Sequence, residues 1–251
     1  MLEENTIHLG DCLDLMPSIP SKSVDMILCD LPYGTTACEW DSIIDMARLW
    51  QEYERVIKDN GAIVLTANSH FVFTLHASNP KWFRYRWIWY KRGTAGYQLS
   101  SFKPFATFED VLVFYKAKPT YNPQMREGEP YKRHNRKGQN ELVSIKNVPT
   151  KSHGGRYPED VIKIDSLNVG SFGSSSIHPT QKPVALFEYL IKTYTNEGEL
   201  VLDNCSGSGT TAIACMNANR RFICIERDET YHRKSIERIS NHEPLFHLGG
   251  K

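Results

Sequence analysis

The stretch from Leu200 to Glu226 constrains the fold more than any other part of this 251-residue chain. Leu200-Val201-Leu202-Asp203 is a short apolar run that reads as a buried strand. It passes through Asn204-Cys205-Ser206-Gly207-Ser208-Gly209 into a helix predicted over Thr210 to Asn217. A second strand, Arg221 to Ile225, follows and ends in Glu226. Strands joined through a helix run parallel, since an antiparallel pair needs only a tight turn. Parallel strands are buried on both faces, so the expected fold class is α/β with a Rossmann-like sheet.

Other segments extend that sheet. Val24 to Cys29 is a buried strand that delivers Asp30-Leu31-Pro32-Tyr33-Gly34 to a loop. A helix over Leu49 to Lys58, stopped by Asn60-Gly61, precedes the strand Ala62 to Leu65. Arg86 to Tyr90 and Asp110 to Tyr115 read as two more strands, and Pro183 to Tyr194 as an amphipathic helix. Between these the pattern breaks into a polar, basic segment with Pro119, Pro123, Pro130, Pro149 and Pro158 and the run Gly170 to Ser176. Tyr121, Tyr131, Tyr157, Val161, Ile162 and Ile164 still supply apolar anchors there, which favours a loop-rich subdomain over disorder. The expected organisation is one α/β domain built from 1–115 and 177–251, with a loop-rich insertion over 116–176.

A composition of 40% hydrophobic and 24% charged residues is that of a globular protein, and no stretch reaches membrane-span length. The N-terminal Met-Leu-Glu-Glu-Asn-Thr lacks the basic start and apolar core of a secretory signal, which predicts a cytoplasmic location. Six cysteines without C-x-x-C or metal-ligand spacing predict buried thiols and no metal site. The net charge is only +1, yet it is unevenly spread. From Lys81 to Lys103 six basic residues and no acids interleave with aromatics, and from Lys116 to Arg156 ten basic residues face three acids. Polyanion binding and a solvated basic surface with structural aromatics explain this equally well.

The glycine-rich turn is where chemistry begins. Gly207 and Gly209 let a ligand approach the backbone at a helix N-terminus. The lysine of a phosphate-binding P-loop is absent, as is the third glycine of the dinucleotide fingerprint. Glu226 lies 23 residues after Asp203, a spacing suited to holding ribose hydroxyls, whereas Asp203 alone also reads as a helix cap. Asp30 to Tyr33 follows its own strand and would reach the same crevice beyond the carboxyl ends of the sheet.

Taken in this order, the motifs resemble the DNA amino-methyltransferase family (N6-adenine or N4-cytosine), in the permuted class whose D-P-P-Y-like motif precedes the cofactor loop. Asp30-Leu31-Pro32-Tyr33 is similar to that motif, with Leu31 in place of its first proline, and Leu202 to Thr211 is similar to the cofactor loop. His178-Pro179-Thr180-Gln181-Lys182-Pro183, Phe105 to Lys116, and Gly10-Asp11-Cys12 resemble further family segments, so the matches span residues 7 to 228.

The resemblance implies S-adenosyl-L-methionine as cofactor and methyl transfer to an exocyclic base amine after base flipping. It implies that Asp30 and the carbonyl of Leu31 accept the amine's hydrogens, that Pro32 shapes the loop and that Tyr33 stacks on the base. Asp203, Ser206, Gly207, Gly209, Thr210 and Thr211 would bind the methionine end of the cofactor, with Lys182 on its carboxylate. Glu226 would hold the ribose, and Asp11 and Cys12 would line the adenine. Asp11 also reads as a turn or cap residue. Aspartate rather than serine at position 30 favours adenine N6 over cytosine N4.

The partners implied are double-stranded DNA, a cognate restriction endonuclease and a second copy of the chain, in a bacterial or phage-infected cell, with 116–176 as target-recognition insertion. Alternatives are a cytosine-N4 enzyme, an RNA or protein-amide methyltransferase, and a non-catalytic DNA-binding subunit. His178 is expected to be structural, and Trp40-Asp41 to shape a base pocket. The aromatics from Trp82 to Tyr97 are expected to divide between a DNA groove and the core, with Trp87 and Trp89 as core candidates.

Overall fold

Side chains alternate across β-strands, and here both faces of the central sheet are apolar, so helices must cover both. The computed structural model describes residues 1–34, 43–95, 100–132, 151–152, 154–166 and 181–242. Its elements are β1 (Thr6–Leu9), α1 (Cys12–Leu15), β2 (Val24–Cys29), α2 (Met46–Val56), β3 (Ile57–Ala67), α3 (Phe71–Ser78), β4 (Phe83–Ala95) and β5 (Ala106–Phe114). There follow β6 (Arg126–Glu127), β7 (Tyr131–Lys132), β8 (Lys151–Ser152), β9 (Gly155–Arg156) and β10 (Val161–Lys163). The chain then forms α4 (Val184–Tyr194), β11 (Leu200–Asp203), α5 (Thr210–Asn217), β12 (Arg221–Glu226) and α6 (Glu229–Ser240).

An eight-stranded sheet runs in the order β1-β12-β11-β2-β3-β5-β4-β10. Neighbours from β1 through β3 are parallel, and β5 is antiparallel to both β3 and β4. Ile27, Cys29, Ile63, Leu65, Leu112, Leu202 and Ile223 pack on one face with Leu49, Trp50 and Tyr53 of α2 and Phe71 and Leu75 of α3. The alternate residues Met26, Leu28, Val64, Val111, Val113, Val201 and Phe222 meet Leu186, Phe187 and Leu190 of α4 and Ala212 and Ala214 of α5 on the other. The expected α/β sheet is therefore present.

The boundaries differ in one instructive place. Helix α2 passes directly into β3 at Ile57, and Asn60-Gly61 lies inside that strand instead of ending the helix. There the register between β2 and β3 shifts between Val24 and Met26, and a Cβ on residue 61 would sit 2.8 Å from the carbonyl oxygen of Asp25. Gly61 thus serves a close backbone approach rather than a helix stop. Elements β1, α3 and α6 carried no sequence signal. Strand β1 has only four residues, and Ser235 is the one buried residue of α6, so neither shows an apolar period.

The chain divides into two compact units, Met1–Asn122 with Asp160–Lys251, and Pro123–Glu159. The second unit holds two short antiparallel pairs, β6 with β9 and β7 with β8. It is narrower than the expected 116–176 insertion, because both flanks of that segment return to the first unit. Asn122 donates its backbone N–H to Thr193 O at 2.7 Å, and β10 adds to the sheet beside β4. Trp87 and Trp89 are core residues of the first unit, as the sequence suggested. Tyr97, Trp40-Asp41, His178 and the run 170–176 lie outside the described residues. Among the described residues no helix is long and apolar enough to cross a membrane.

Buried Asp25 ties three central strands together. Its Oδ1 pairs with Lys58 Nζ at 2.6 Å, and its Oδ2 accepts the backbone N–H of Leu200 at 3.0 Å. Replacing it leaves that buried N–H unpaired, so Asp25→Ala should lower unfolding stability by about 1–3 kcal/mol, measured by denaturant titration.

Candidate active site

Parallel pairing of β2 with β11, in the register Val201↔Met26 and Leu202↔Ile27, points both strands the same way. The loops that leave them, Asp30 to Gly34 and Asn204 to Gly209, therefore start side by side although they are far apart in sequence. Strand β12 lies beyond β11, and β1 pairs with β12 so that Leu9 faces Glu226. Gly10, Asp11 and Glu226 thus reach the same edge as the glycine-rich loop. The backbone confirms the closeness, since Gly10 N donates to Glu226 O at 2.9 Å.

The glycine-rich loop is held from below. Asp203 is 2% exposed; its Oδ1 accepts the N–H of Cys205 at 3.1 Å and its Oδ2 accepts the hydroxyl of Thr211. Both side chains thereby brace the loop from within. Tyr53 donates to Asn204 Oδ1 at 2.6 Å from below, and Arg238 of α6 donates to Ser208 O at 2.9 Å from the side. Gly207 and Gly209 both have positive φ, at 50° and 75°. A Cβ on residue 209 would meet Ser235 at 3.1 Å and Ile7 at 3.2 Å, so this glycine serves packing against α6 and β1 as well as the turn.

Two features of the loop suit a nucleoside-bearing ligand. Ser206 Oγ is buried without a hydrogen-bond partner among the described residues, a condition normally relieved by a bound group. Glu226 accepts Gly207 N at 2.6 Å through Oε2 and Asp228 N at 2.8 Å through Oε1, which fixes the carboxylate. Burial raises the carboxyl of Glu226, and the backbone donors of Asp228, Gly207 and Arg227 oppose that rise. Asp11 is exposed and caps α1, with Oδ1 accepting Leu13 N at 2.8 Å, so its cap reading holds. Cys12 is buried; its bond to Cys205 and its burial hold the thiol in the neutral form. Thr210 is 4% exposed and shares hydrogen-bond distance with Ser208 Oγ at 3.3 Å.

The Asp30 loop is built around charge. Asp30 Oδ1 accepts the Tyr33 hydroxyl at 2.7 Å and the Thr66 hydroxyl from the end of β3, and Oδ2 pairs with Lys182 Nζ at 2.6 Å. Lys182 also faces Glu109 Oε2 of β5 at 3.4 Å, and Glu109 Oε1 is bound by Lys91 of β4. Burial alone would depress the Lys182 ammonium, but the carboxylates of Asp30 and Glu109 outweigh it and hold the group above its ordinary range. Lys182 therefore has two carboxylate partners within the protein. Tyr33 stacks on Phe71 with ring centroids 5.0 Å apart, and burial followed by the charge of Asp30 keeps its hydroxyl protonated. Leu31 is buried at 3% exposure, anchoring the loop through its side chain.

Thr66, Phe71, Lys91, Glu109, Asn204 and Arg238 were not singled out from sequence. Glu109 carried a usable signal, a carboxylate pair at the head of the apolar strand Val111 to Phe114, but Arg238 in a weakly patterned helix carried none.

A family model of N6/N4 methyltransferases, described as DNA methylase, matches residues 24–237. The chain belongs to this family. It is 28% identical over 250 residues to the type II methyltransferase M1.MboII of Moraxella bovis, covering 92% of this chain and 95% of that protein. It is also 28% identical over 251 residues to the DNA adenine methyltransferase YhdJ of Escherichia coli, with 94% and 83% covered. Among solved structures, the M1.HpyAVI–SAM complex superposes with a TM-score of 0.63 at 21% identity, over 93% of this chain and 98% of that one. The cytosine-N4-specific PvuII DNA methyltransferase gives 0.67 at 17% identity, over 94% and 87%. At these identities the structures share the fold.

Burial pushes the Asp203 carboxyl up to about 7. A carboxyl raised on folding binds its proton more tightly in the native state, so stability is greatest below the unfolded-state value and declines as pH rises through about 7. Thermal melts between acid and neutral pH should show this decline in the native chain and a flatter profile in Asp203→Asn.

Proposed function

We propose that this DNA methyltransferase transfers a methyl group from S-adenosyl-L-methionine to the N6 amine of a flipped adenine in duplex DNA, with Asp30 as the acceptor that orients that amine. The observation that carries the reading is the convergence of the Asp30 loop and the glycine-rich loop on one sheet edge through the β2–β11 pairing. Glu226, Asp11, Ser206 and the backbone of Gly207 would hold the cofactor, which supplies a methyl already activated by its positive sulfur.

The remaining catalysis falls to groups of this chain. An exocyclic amine conjugated to its ring is a poor nucleophile, and it gains reactivity when both N–H bonds point to fixed acceptors. Asp30 supplies one acceptor and the carbonyl of Leu31 the other. The buried Leu31 side chain gives the loop the rigidity that a proline would otherwise supply. Thr66, Tyr33 and Lys182 fix the Asp30 carboxylate before a substrate arrives. The nitrogen that takes the methyl, as the methyl's bond to sulfur breaks, would shed a proton, and the Asp30 carboxylate is placed to accept it or to pass it to water.

The choice of adenine rests on aspartate at position 30 and on the relative named as a DNA adenine methyltransferase. Pro123–Glu159, with eight basic residues and four acids, is the segment we assign to target recognition. A paired restriction endonuclease is proposed from the type II relatives.

Incubation with labelled S-adenosylmethionine and mixed-sequence duplex DNA should yield N6-methyladenine. Label in N4-methylcytosine would move the target to cytosine, and label in RNA alone would reject DNA as the substrate. Asp30→Ala should reduce transfer by at least about 10³-fold while cofactor affinity, read by calorimetry, changes little.

A further inference from the structure

Lys91, Glu109, Lys182 and Asp30 form an alternating chain of charges that runs from β4 through β5 to the Asp30 loop. Its members are largely withdrawn from water, with side-chain exposures of 14%, 10%, 7% and 22% in that order. Each cation lies against a carboxylate, and Lys182 lies against two. A buried lysine whose own family motif points towards a cofactor, yet which is spent on two internal acids, calls for a reason.

We propose that Lys182 is the positioning residue that keeps Asp30 ionised and aimed for methyl transfer, and that Glu109 limits how strongly Lys182 pulls on it. This inference rests on Asp30 being the amine acceptor. The ammonium contacts Oδ2 alone, so the charge that fixes the carboxylate and the hydroxyl partners that an amine could replace sit on different oxygens. Without Lys182, Asp30 would share a poorly solvated site with Glu109, and like charges in such a site favour protonation of one of them. Without Glu109, Lys182 would belong to Asp30 alone and make it a weaker acceptor. The position of Lys182 is set from both ends, since Lys91 holds Glu109 from the far side and lies 5.0 Å from the centre of the Trp89 ring. The other titratable groups near Asp30 are Tyr33 of its own loop, Cys29 at the end of β2 and Asp203 at the end of β11. Tyr33 and Cys29 are held neutral by burial, and Lys182 is the cation in contact with Asp30.

The two roles predict opposite signs. Single-turnover transfer, with DNA and S-adenosylmethionine saturating, is measured against pH for the native chain, Lys182→Gln, Glu109→Gln, the double variant and Lys182→Arg. Lys182→Gln should move the acid limb of the rate profile upward by about one to three pH units. It should also lower kcat by about 100-fold, with KM for S-adenosylmethionine within about threefold of the native value. Glu109→Gln should leave the limb in place or move it down, the double variant should fall between the singles, and Lys182→Arg should restore the native limb.

Coincident limbs, or an upward move in Glu109→Gln equal to that of Lys182→Gln, would overturn the proposal. So would a large rise in KM with kcat preserved, which would return Lys182 to the cofactor carboxylate. If Lys182→Gln fails to fold, Lys182→Met takes its place as the variant without a cation on Asp30, and an acid limb that does not rise in it overturns the proposal. A native chain inactive on every nucleic acid would instead reject the functional reading, whereas native activity with unmoved limbs rejects this inference alone.

Discussion

The parallel pairing of β2 with β11 is the constraint on which the rest of the structure depends. Two loops separated by most of the chain are brought together because each leaves the carboxyl end of a strand, and parallel neighbours place those ends side by side. Asp25 secures that junction, since it binds the first residue of β11 and the Lys58 ammonium of β3 from within β2. The burial of both sheet faces makes a register slip between these strands costly, because every side chain would exchange layers. The site therefore inherits its geometry from the part of the molecule with the least freedom to move.

Charges inside such a scaffold behave differently from charges on its surface. Lys22–Asp59 and Arg126–Glu159 are exposed pairs, and pairs of that kind, screened by water, contribute little. The chain from Lys91 to Asp30 is shielded, and removing one member strands an uncompensated charge at a cost of about 3–5 kcal/mol. Stability gives little reason to keep it, because apolar residues of similar volume would serve a core as well. A fixed, ionised carboxylate at a loop is something apolar packing cannot supply.

The sheet, the βαβ unit and both loops were legible in sequence because each rests on a local pattern: an apolar run, a glycine at a turn, an acid at a strand end. Strand β11 and helix α5 were read to the residue. Asn60-Gly61 misled because the same dipeptide that ends a helix also permits a close backbone approach within a strand, and only the carbonyl of Asp25 distinguishes the two. In the site, Asp30 and Glu226 were visible as acids closing apolar strands, whereas the partners of Lys182 were not. Its contacts to Asp30 and Glu109 span 152 and 73 positions, and no periodicity encodes a pairing over such distances. Asp203 and Thr211 were recognised as part of the loop but not as bound to one another, since a ligand contact and an internal brace have the same sequence signature.

The arrangement around Asp30 also bears on how a base enters. Both carboxylate oxygens already have partners, Tyr33 and Thr66 on Oδ1 and Lys182 on Oδ2. A target amine that binds Oδ1 does so by exchange, and the hydroxyl of Tyr33 is the partner with least to lose, because it also lies 3.1 Å from Thr66 Oγ1. Giving up one neutral donor for another costs little, since the net value of such a bond is about 1 kcal/mol either way. Displacing Lys182 would instead separate buried opposite charges, which is several times more costly. The carboxylate is therefore held by one bond that a suitable amine can replace and by another that it cannot.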